Sequence, residues 1–114
     1  MRILVCPDSF KDTLSAIEVA QIIGSALEKA GHHCGLYPIA DGGEGTVDTL
    51  LYALKGGKKN VQTRDPLGRP IETYYGLKGD TAFLEMAQTA GLQRLDTHER
   101  NPWITSTHGV GEQI

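Results

Sequence analysis

Ile3-Leu4-Val5-Cys6-Pro7-Asp8-Ser9-Phe10-Lys11, read together with the stripe from Ala16 to Ala30, decides the fold of this chain. The first four residues are a continuous apolar run with β-branched members, the pattern of a strand buried on both faces. Pro7 interrupts the run, and Asp8–Asp12 is polar punctuation. Ser15 and Glu18 have the spacing of a capping box, in which each side chain satisfies an unpaired N–H at a helix start. Ala20, Ile23, Leu27 and Ala30 then recur at helical steps, and Val19 and Ile22 widen the stripe. Gly31 suits a left-handed C-cap. Cys34–Ile39 predicts a second strand, with Pro38 at its end or on an unpaired edge. A strand, helix and strand of these lengths make a right-handed crossover between parallel strands.

Working outward, Asp41-Gly42-Gly43-Glu44-Gly45-Thr46 is a glycine-rich acidic loop. Val47, Leu50, Leu51 and Leu54 mark a second helix, stopped by Gly56-Gly57. In a parallel unit, the Asp8–Asp12 and Asp41–Thr46 loops both leave the carboxyl ends of strands, on the edge where open α/β sheets bind ligands. After residue 60 the pattern changes. Val61–Arg64, Ile71–Leu77 and Thr81–Met86 read as strands joined by turn signals at Asp65-Pro66-Leu67-Gly68 and Lys78-Gly79-Asp80. The expected class is α/β: an incomplete Rossmann-like parallel βαβ unit over 1–60, then the beginning of a second, β-meander-containing domain over 61–114. Thr105–Glu112 reads as a loop feeding a helix that Ile114 cuts off before it forms.

With 22% charged and 39% hydrophobic residues among 114, the chain has ordinary globular composition and is not a disordered segment. Eleven Lys and Arg against fourteen Asp and Glu leave a net charge of −3, so a broad basic footprint for nucleic acid is excluded. The apolar runs are too short to span a membrane. Cys6 and Cys34 lack C-x-x-C spacing and read as buried thiols rather than a disulfide. Met1-Arg2 leads straight into the first strand with no signal region, and the expected compartment is the cytoplasm.

The chemistry concentrates in the two loops. In Asp41–Thr46 the glycines permit a tight turn that presents N–H groups in a concave nest. Asp41 and Glu44 add carboxylates able to hold Mg²⁺ or take a proton from a hydroxyl. The helix starting near Thr46 contributes a positive dipole end. The plainer alternative is a solvated turn with Asp41 or Thr46 as N-cap. In the first loop, the Lys11 ammonium beside Asp8 and Ser9 suits a phosphate- or carboxylate-bearing ligand. No G-x-x-x-x-G-K-[ST] motif is present, and Gly109-Val110-Gly111 lacks the third glycine of G-x-G-x-x-G because Ile114 stands there. The histidines lack zinc spacing: His32-His33 compensates a helix end, and His108 faces solvent from a polar loop. Trp103 reads as a packing anchor. Glu85, after Phe83-Leu84, is either an inward functional carboxylate or an outward member of a strand's alternation.

Taken together, Pro7-Asp8-Ser9-Phe10-Lys11, Ala40-Asp41-Gly42-Gly43-Glu44-Gly45-Thr46, Glu85-Met86-Ala87 with Gly91-Leu92, Arg100-Asn101-Pro102 and Thr107-His108-Gly109-Val110-Gly111-Glu112 resemble the bacterial glycerate kinase family. The resemblance runs in order along essentially the whole chain. It implies ATP-dependent phosphorylation of D-glycerate, a small-molecule substrate, usually giving 2-phosphoglycerate, with Mg²⁺ as helper. It also implies a two-domain α/β enzyme whose Rossmann-like domain is interrupted by a second one. On this resemblance Lys11 neutralises phosphate or the glycerate carboxylate. Asp41 or Glu44 serves as base or metal ligand, with Asp41 as the metal residue. Asp8, Ser9, Gly42, Gly43, Gly45 and Thr46 bind substrate and phosphate. Family members are much longer and carry a further glycine-rich segment downstream. The expectation is therefore an amino-terminal piece, inactive alone and self-associating through exposed sheet edges. A non-catalytic ligand-binding remnant or interaction partner is the alternative.

Overall fold

The computed structural model describes all residues, Met1–Ile114. Strand β1, Arg2–Val5, runs parallel to β2, His33–Leu36, in register from Arg2 opposite His33 to Val5 opposite Leu36. Helix α1, Ala16–Lys29, is the crossover. Its capping box forms as the spacing predicts: the Ser15 hydroxyl accepts the Glu18 N–H, and the Glu18 carboxylate accepts the Ser15 N–H. Gly31 turns the chain away at φ +83°. Val5, Ala16, Val19 and Ala20 form the buried seam between helix and sheet. Gly24 allows the close approach, because a Cβ there would lie 2.6 Å from a Leu36 methyl.

Several sequence expectations need correction. β1 is not buried on both faces: Val5 is buried, but Leu4 is 67% exposed. Leu4 shares its face with Gly35 and Tyr37, opposite α1, and no second layer covers that face within this chain. The same geometry leaves Cys6 exposed and Cys34 half-buried, both as free thiols. The second strand ends early at Leu36, although Tyr37 and Ile39 still donate N–H bonds to the carbonyls of Val5 and Pro7 at 2.8 and 3.0 Å. Trp103 is 92% exposed and anchors no packing; its turn is held by local bonds such as the Trp103 N–H to Asn101 Oδ1 at 3.0 Å.

Helix α2 covers Thr46–Leu54 and ends through Lys55 in the left-handed region at φ +55°. Strands β3 (Gly57–Arg64), β4 (Pro70–Lys78) and β5 (Thr81–Phe83) then form an antiparallel meander in sequence order. β3 starts four residues before the predicted Val61, because Gly57, Lys58, Lys59 and Asn60 pair through their backbones with exposed side chains and carry no apolar signal. Gly68 at φ +80° and Gly79 at φ +60° sit in the two predicted turns. β5 ends at Phe83 rather than running to Met86, and helix α3, Met86–Ala90, takes over.

α2 packs on the meander: Val47 and Leu51 fill the space over Gly76, where a Cβ would meet both at 3.0–3.1 Å. Two short 3₁₀ turns, Leu92–Arg94 and Thr97–Glu99, follow α3. The final helix does form, as α4, His108–Glu112. Its first turn docks on β3, where the Thr63 hydroxyl donates to the Gly109 carbonyl at 2.6 Å, and tertiary contact replaces the missing length. No helix is long and apolar enough to cross a membrane.

Candidate active site

The Asp8–Asp12 loop leaves the carboxyl end of β1 and folds back on itself. Asp8 Oδ1 accepts the Ser9 N–H at 2.7 Å, Asp12 adopts φ +60°, and the Thr13 hydroxyl donates to the Phe10 carbonyl at 2.8 Å. Lys11 is exposed and forms no ion pair. The second loop leaves the β2 side. Its turn needs glycine at Gly42 and Gly45, which hold φ +99° and +86°. Asp41 Oδ1 accepts the Gly43 N–H at 2.8 Å and closes the turn from within.

Both loops line one open cleft of about 960 Å³. Asp8, Ser9, Lys11, Asp41, Gly43, Glu44 and Gly45 face it; Gly42 and Thr46 belong to the loop but do not line the cleft. The Thr46 hydroxyl is buried without a hydrogen-bond partner. Asp48, Tyr74, Gln88 and Arg100 also line the cleft, from α2, β4, α3 and the segment after the 3₁₀ turns. The sequence reading assigned none of these four a role at the site.

Glu85 resolves its two alternatives inward. Only 3% exposed, its carboxylate accepts the Gly45 N–H at 3.1 Å and the Val47 N–H at 3.0 Å, caught from 40 and 38 residues further along the chain. The N-cap of α2 is thus Gly45, with neither Asp41 nor Thr46 in that role. The positive end of α2 was expected to receive a ligand anion; it is occupied by Glu85 instead. A polar residue directly after Phe83-Leu84 was the signal available, but its partner amides lie too far away in sequence for spacing to find them.

Glu85 ends a chain of hydrogen bonds that crosses between the loop and the meander. Gln88 Nε2 donates to Glu85 Oε1 at 3.4 Å and to the Tyr74 hydroxyl at 3.0 Å. That hydroxyl donates to Asp48 Oδ1 at 3.0 Å. Lys58 Nζ pairs with Asp48 at 2.8 Å and stands 4.0 Å from the Tyr74 ring centre. Burial pushes the Tyr74 phenol above its ordinary pKa, and the Asp48 charge adds to the effect. Partial burial opposes the Lys58 ammonium, but Asp48 and Tyr74 outweigh it and raise its pKa.

A second network involves no residue that lines the cleft. The Arg69 guanidinium binds Asp65 and donates to Glu99 Oε1 at 2.7 Å and Oε2 at 3.3 Å. Desolvation works against an ionised Asp65, yet the N–H groups of Arg69 and Leu67 and the guanidinium hold its carboxyl below the usual range. Asp96, His98 and Glu99 bring ligand atoms within 4.8 Å of one another, but Glu99 is already committed to Arg69 and the Asp96 N–H. In the cleft, Asp41 and Glu44 are exposed hard-oxygen donors of the kind Mg²⁺ takes singly or in pairs while keeping waters and phosphate oxygens. The donor chemistry fits the metal.

Fold and site define an α/β protein with an open polar cleft lined by the loops at the carboxyl edge of its parallel sheet. The model of the glycerate kinase family matches residues 3–114. The chain is 42% identical to a glycerate kinase of Bacillus subtilis, covering 100% of itself and 31% of that protein. It is 39% identical to a glycerate 2-kinase of Escherichia coli with the same coverage. A crystal structure of a glycerate kinase 2 candidate from Salmonella typhimurium superposes with a TM-score of 0.72 at 38% identity, over 99% of this chain and 32% of that one. The chain belongs to the glycerate kinase family, and it spans about a third of the length of these relatives.

Proposed function

We propose that these residues form the amino-terminal part of a D-glycerate kinase that transfers a phosphoryl group from ATP to a glycerate hydroxyl, giving the 2-phosphate. The reading rests on one observation above the others: the two motif loops, separated in sequence by the whole of α1 and β2, meet at a single cleft. Phosphoryl transfer needs an oriented hydroxyl, charge neutralisation and in-line positioning. Glu44 or Asp41 accepts the hydroxyl proton, and Lys11 neutralises charge on the incoming anion. The Gly43 N–H is taken by Asp41 and the Gly45 N–H by Glu85, so the glycines serve by shaping the loop that carries Asp41 and Glu44 to the cleft. Asp41 would hold Mg²⁺, which when bound would supply charge neutralisation on the phosphates. Asp8 and Ser9 shape the first wall. Gly42 and Gly45 supply the loop's curvature, and Thr46 lies behind it. The division near residue 60 belongs to the same proposal, with 1–60 opening the Rossmann-like domain and 61–114 the inserted one. So do the cytoplasmic setting and the absence of turnover by the 114 residues alone.

The test is a coupled ADP-release assay with D-glycerate on the full-length protein and on the 114 residues, with the product's phosphate position read by ³¹P NMR. Glycerate-dependent turnover by the full-length protein alone, yielding the 2-phosphate, is expected. A full-length protein that binds glycerate without turnover supports the non-catalytic remnant instead.

A further inference from the structure

We propose that Arg100 is the carboxylate anchor of the cleft, the residue that selects a hydroxy acid over the corresponding neutral alcohol; this rests on the glycerate kinase reading. The charges lining the cleft are lopsided. Asp8, Asp12, Asp41 and Glu44 are carboxylates without an ion pair, Asp48 is already paired with Lys58, and Lys11 and Arg100 are the two cations. A small hydroxy acid entering this space has its carboxylate repelled by most of the wall and attracted at two points. Lys11 lies on the Asp8–Asp12 loop at the sheet edge. Arg100 reaches the cleft from the segment after the 3₁₀ turns, the side contributed by α3 and its successors. The cleft thus offers a ligand a point charge from one segment and a planar fork from another, and the fork matches carboxylate geometry.

The backbone around Arg100 is pinned while its side chain is nearly free. On its amino-terminal side, Glu99 is gripped by Arg69 Nη1 and Nη2 and accepts the Asp96 N–H at 3.0 Å. Arg69 Nη2 also donates to the Arg94 carbonyl at 3.2 Å. On its carboxyl-terminal side, the Asn101 N–H donates to the Glu99 carbonyl at 2.8 Å, and the Thr105 hydroxyl donates to the Asn101 carbonyl at 3.1 Å. The Arg100 guanidinium itself makes one long bond, from Nη2 to the Leu92 carbonyl at 3.5 Å, and no salt bridge. Most of its five N–H donors are therefore uncommitted, in an exposed side chain at the cleft. The Asp65–Arg69–Glu99 network, none of whose members lines the cleft, pins the backbone from which this fork extends.

The experiment compares the full-length protein with its Arg100→Lys and Arg100→Ala variants, each verified as folded by circular dichroism. Arg100→Ala is expected to raise KM for D-glycerate about tenfold or more, with KM for ATP changed less than about twofold. Arg100→Lys, which keeps the charge but not the fork, recovers part of the loss in glycerate KM. An unchanged glycerate KM, or a rise confined to ATP, overturns the anchor. If the parent protein phosphorylates no glycerate, the kinase reading fails on its own. Calorimetric titration with D-glycerate then decides the anchor separately: binding lost in Arg100→Ala sustains it, and binding retained or absent in both refutes it.

Discussion

Removing the Glu85 carboxylate should loosen the glycine loop and weaken the whole structure, because two backbone donors at the start of α2 have no other acceptor in this arrangement. Glu85→Ala deletes the bonds to the Gly45 and Val47 N–H groups and leaves the Val47 donor buried. Hydrogen bonds to a charged group contribute about 1.5–3 kcal/mol each, so the pair is worth roughly 3–6 kcal/mol in full burial. Gly45 borders the open cleft, where water can replace its partner, and this lowers the expected cost to about 3 kcal/mol. Glu85→Gln keeps one acceptor oxygen and loses the charge at the helix end, so about half that loss is expected. Glu85→Asp keeps the charge but shortens the reach across a fixed gap, and it should resemble Glu85→Gln rather than the parent. Equilibrium urea unfolding gives the energies, and hydrogen exchange resolved at Gly45 and Val47 locates them. The reasoning is refuted if Glu85→Ala costs less than about 0.5 kcal/mol, the ordinary scatter of surface substitutions, with protection at both amides unchanged.

Three further outcomes follow from the same geometry. Asp65 has its carboxyl pKa depressed in the folded protein by N–H donors and Arg69 that outweigh its desolvation, so its stabilising effect is complete above the unfolded value of about 3.9 and is lost as pH falls through the folded value. Asp65→Asn should therefore melt well below the parent near neutrality and approach it below about pH 4; a gap independent of pH counts against the pairing. In the full-length protein, Asp41→Asn should lower kcat about a hundredfold or more while the melting temperature barely moves, and near-parental turnover removes Asp41 from the chemistry. The 114 residues alone should self-associate in a concentration-dependent way, seen by light scattering, because Leu4, Tyr37 and Ile39 lie exposed along the parallel pair; a monodisperse monomer argues against that.

The parts of the fold written in local pattern were legible. The capping box at Ser15, the left-handed Gly31 and the meander turns at Gly68 and Gly79 each depend on residues a few positions apart, and all appear where the sequence places them; the α1 helix forms too, but of its predicted stripe only Val19 and Ala20 are buried, with Ile22, Ile23 and Ala30 exposed. The failures share a cause of the opposite kind. The apolar run of β1 shows that both faces suit burial, but not what covers them. The early start of β3 is carried by backbone pairing of lysines with no apolar signal. Glu85 follows two apolar residues and so imitates strand alternation, while its actual partners are amides about forty residues away. α4 is too short to persist by propensity and exists because Thr63 and Arg64 give it a surface. At the site, residue type identified both loops. Tyr74, Gln88 and Arg100 enter the cleft only through tertiary folding.

Occupation of the α2 N-terminus by Glu85 also bears on how the acidic loop should be understood. A glycine-rich turn feeding a helix is the usual architecture for holding phosphate, because the orphan N–H groups and the dipole favour an anion. Here the orphan N–H groups of Gly45 and Val47 are spent on an internal carboxylate, and Asp41 takes the Gly43 N–H for its own turn. The loop therefore stands as a rigid mount that holds Asp41 and Glu44 at the cleft, rather than as a cradle built from its amides. Its glycines are needed for curvature at Gly42 and Gly45, and its rigidity comes from α3 through Glu85. A phosphate approaching this wall meets carboxylates first, so on the proposed kinase reading it would need cations to enter, and Lys11 and a divalent ion held by Asp41 would supply them. On the proposed kinase reading, the carboxylate-lined wall is then left to the acceptor hydroxyl, so that a base and an incoming phosphoryl group do not compete for one position.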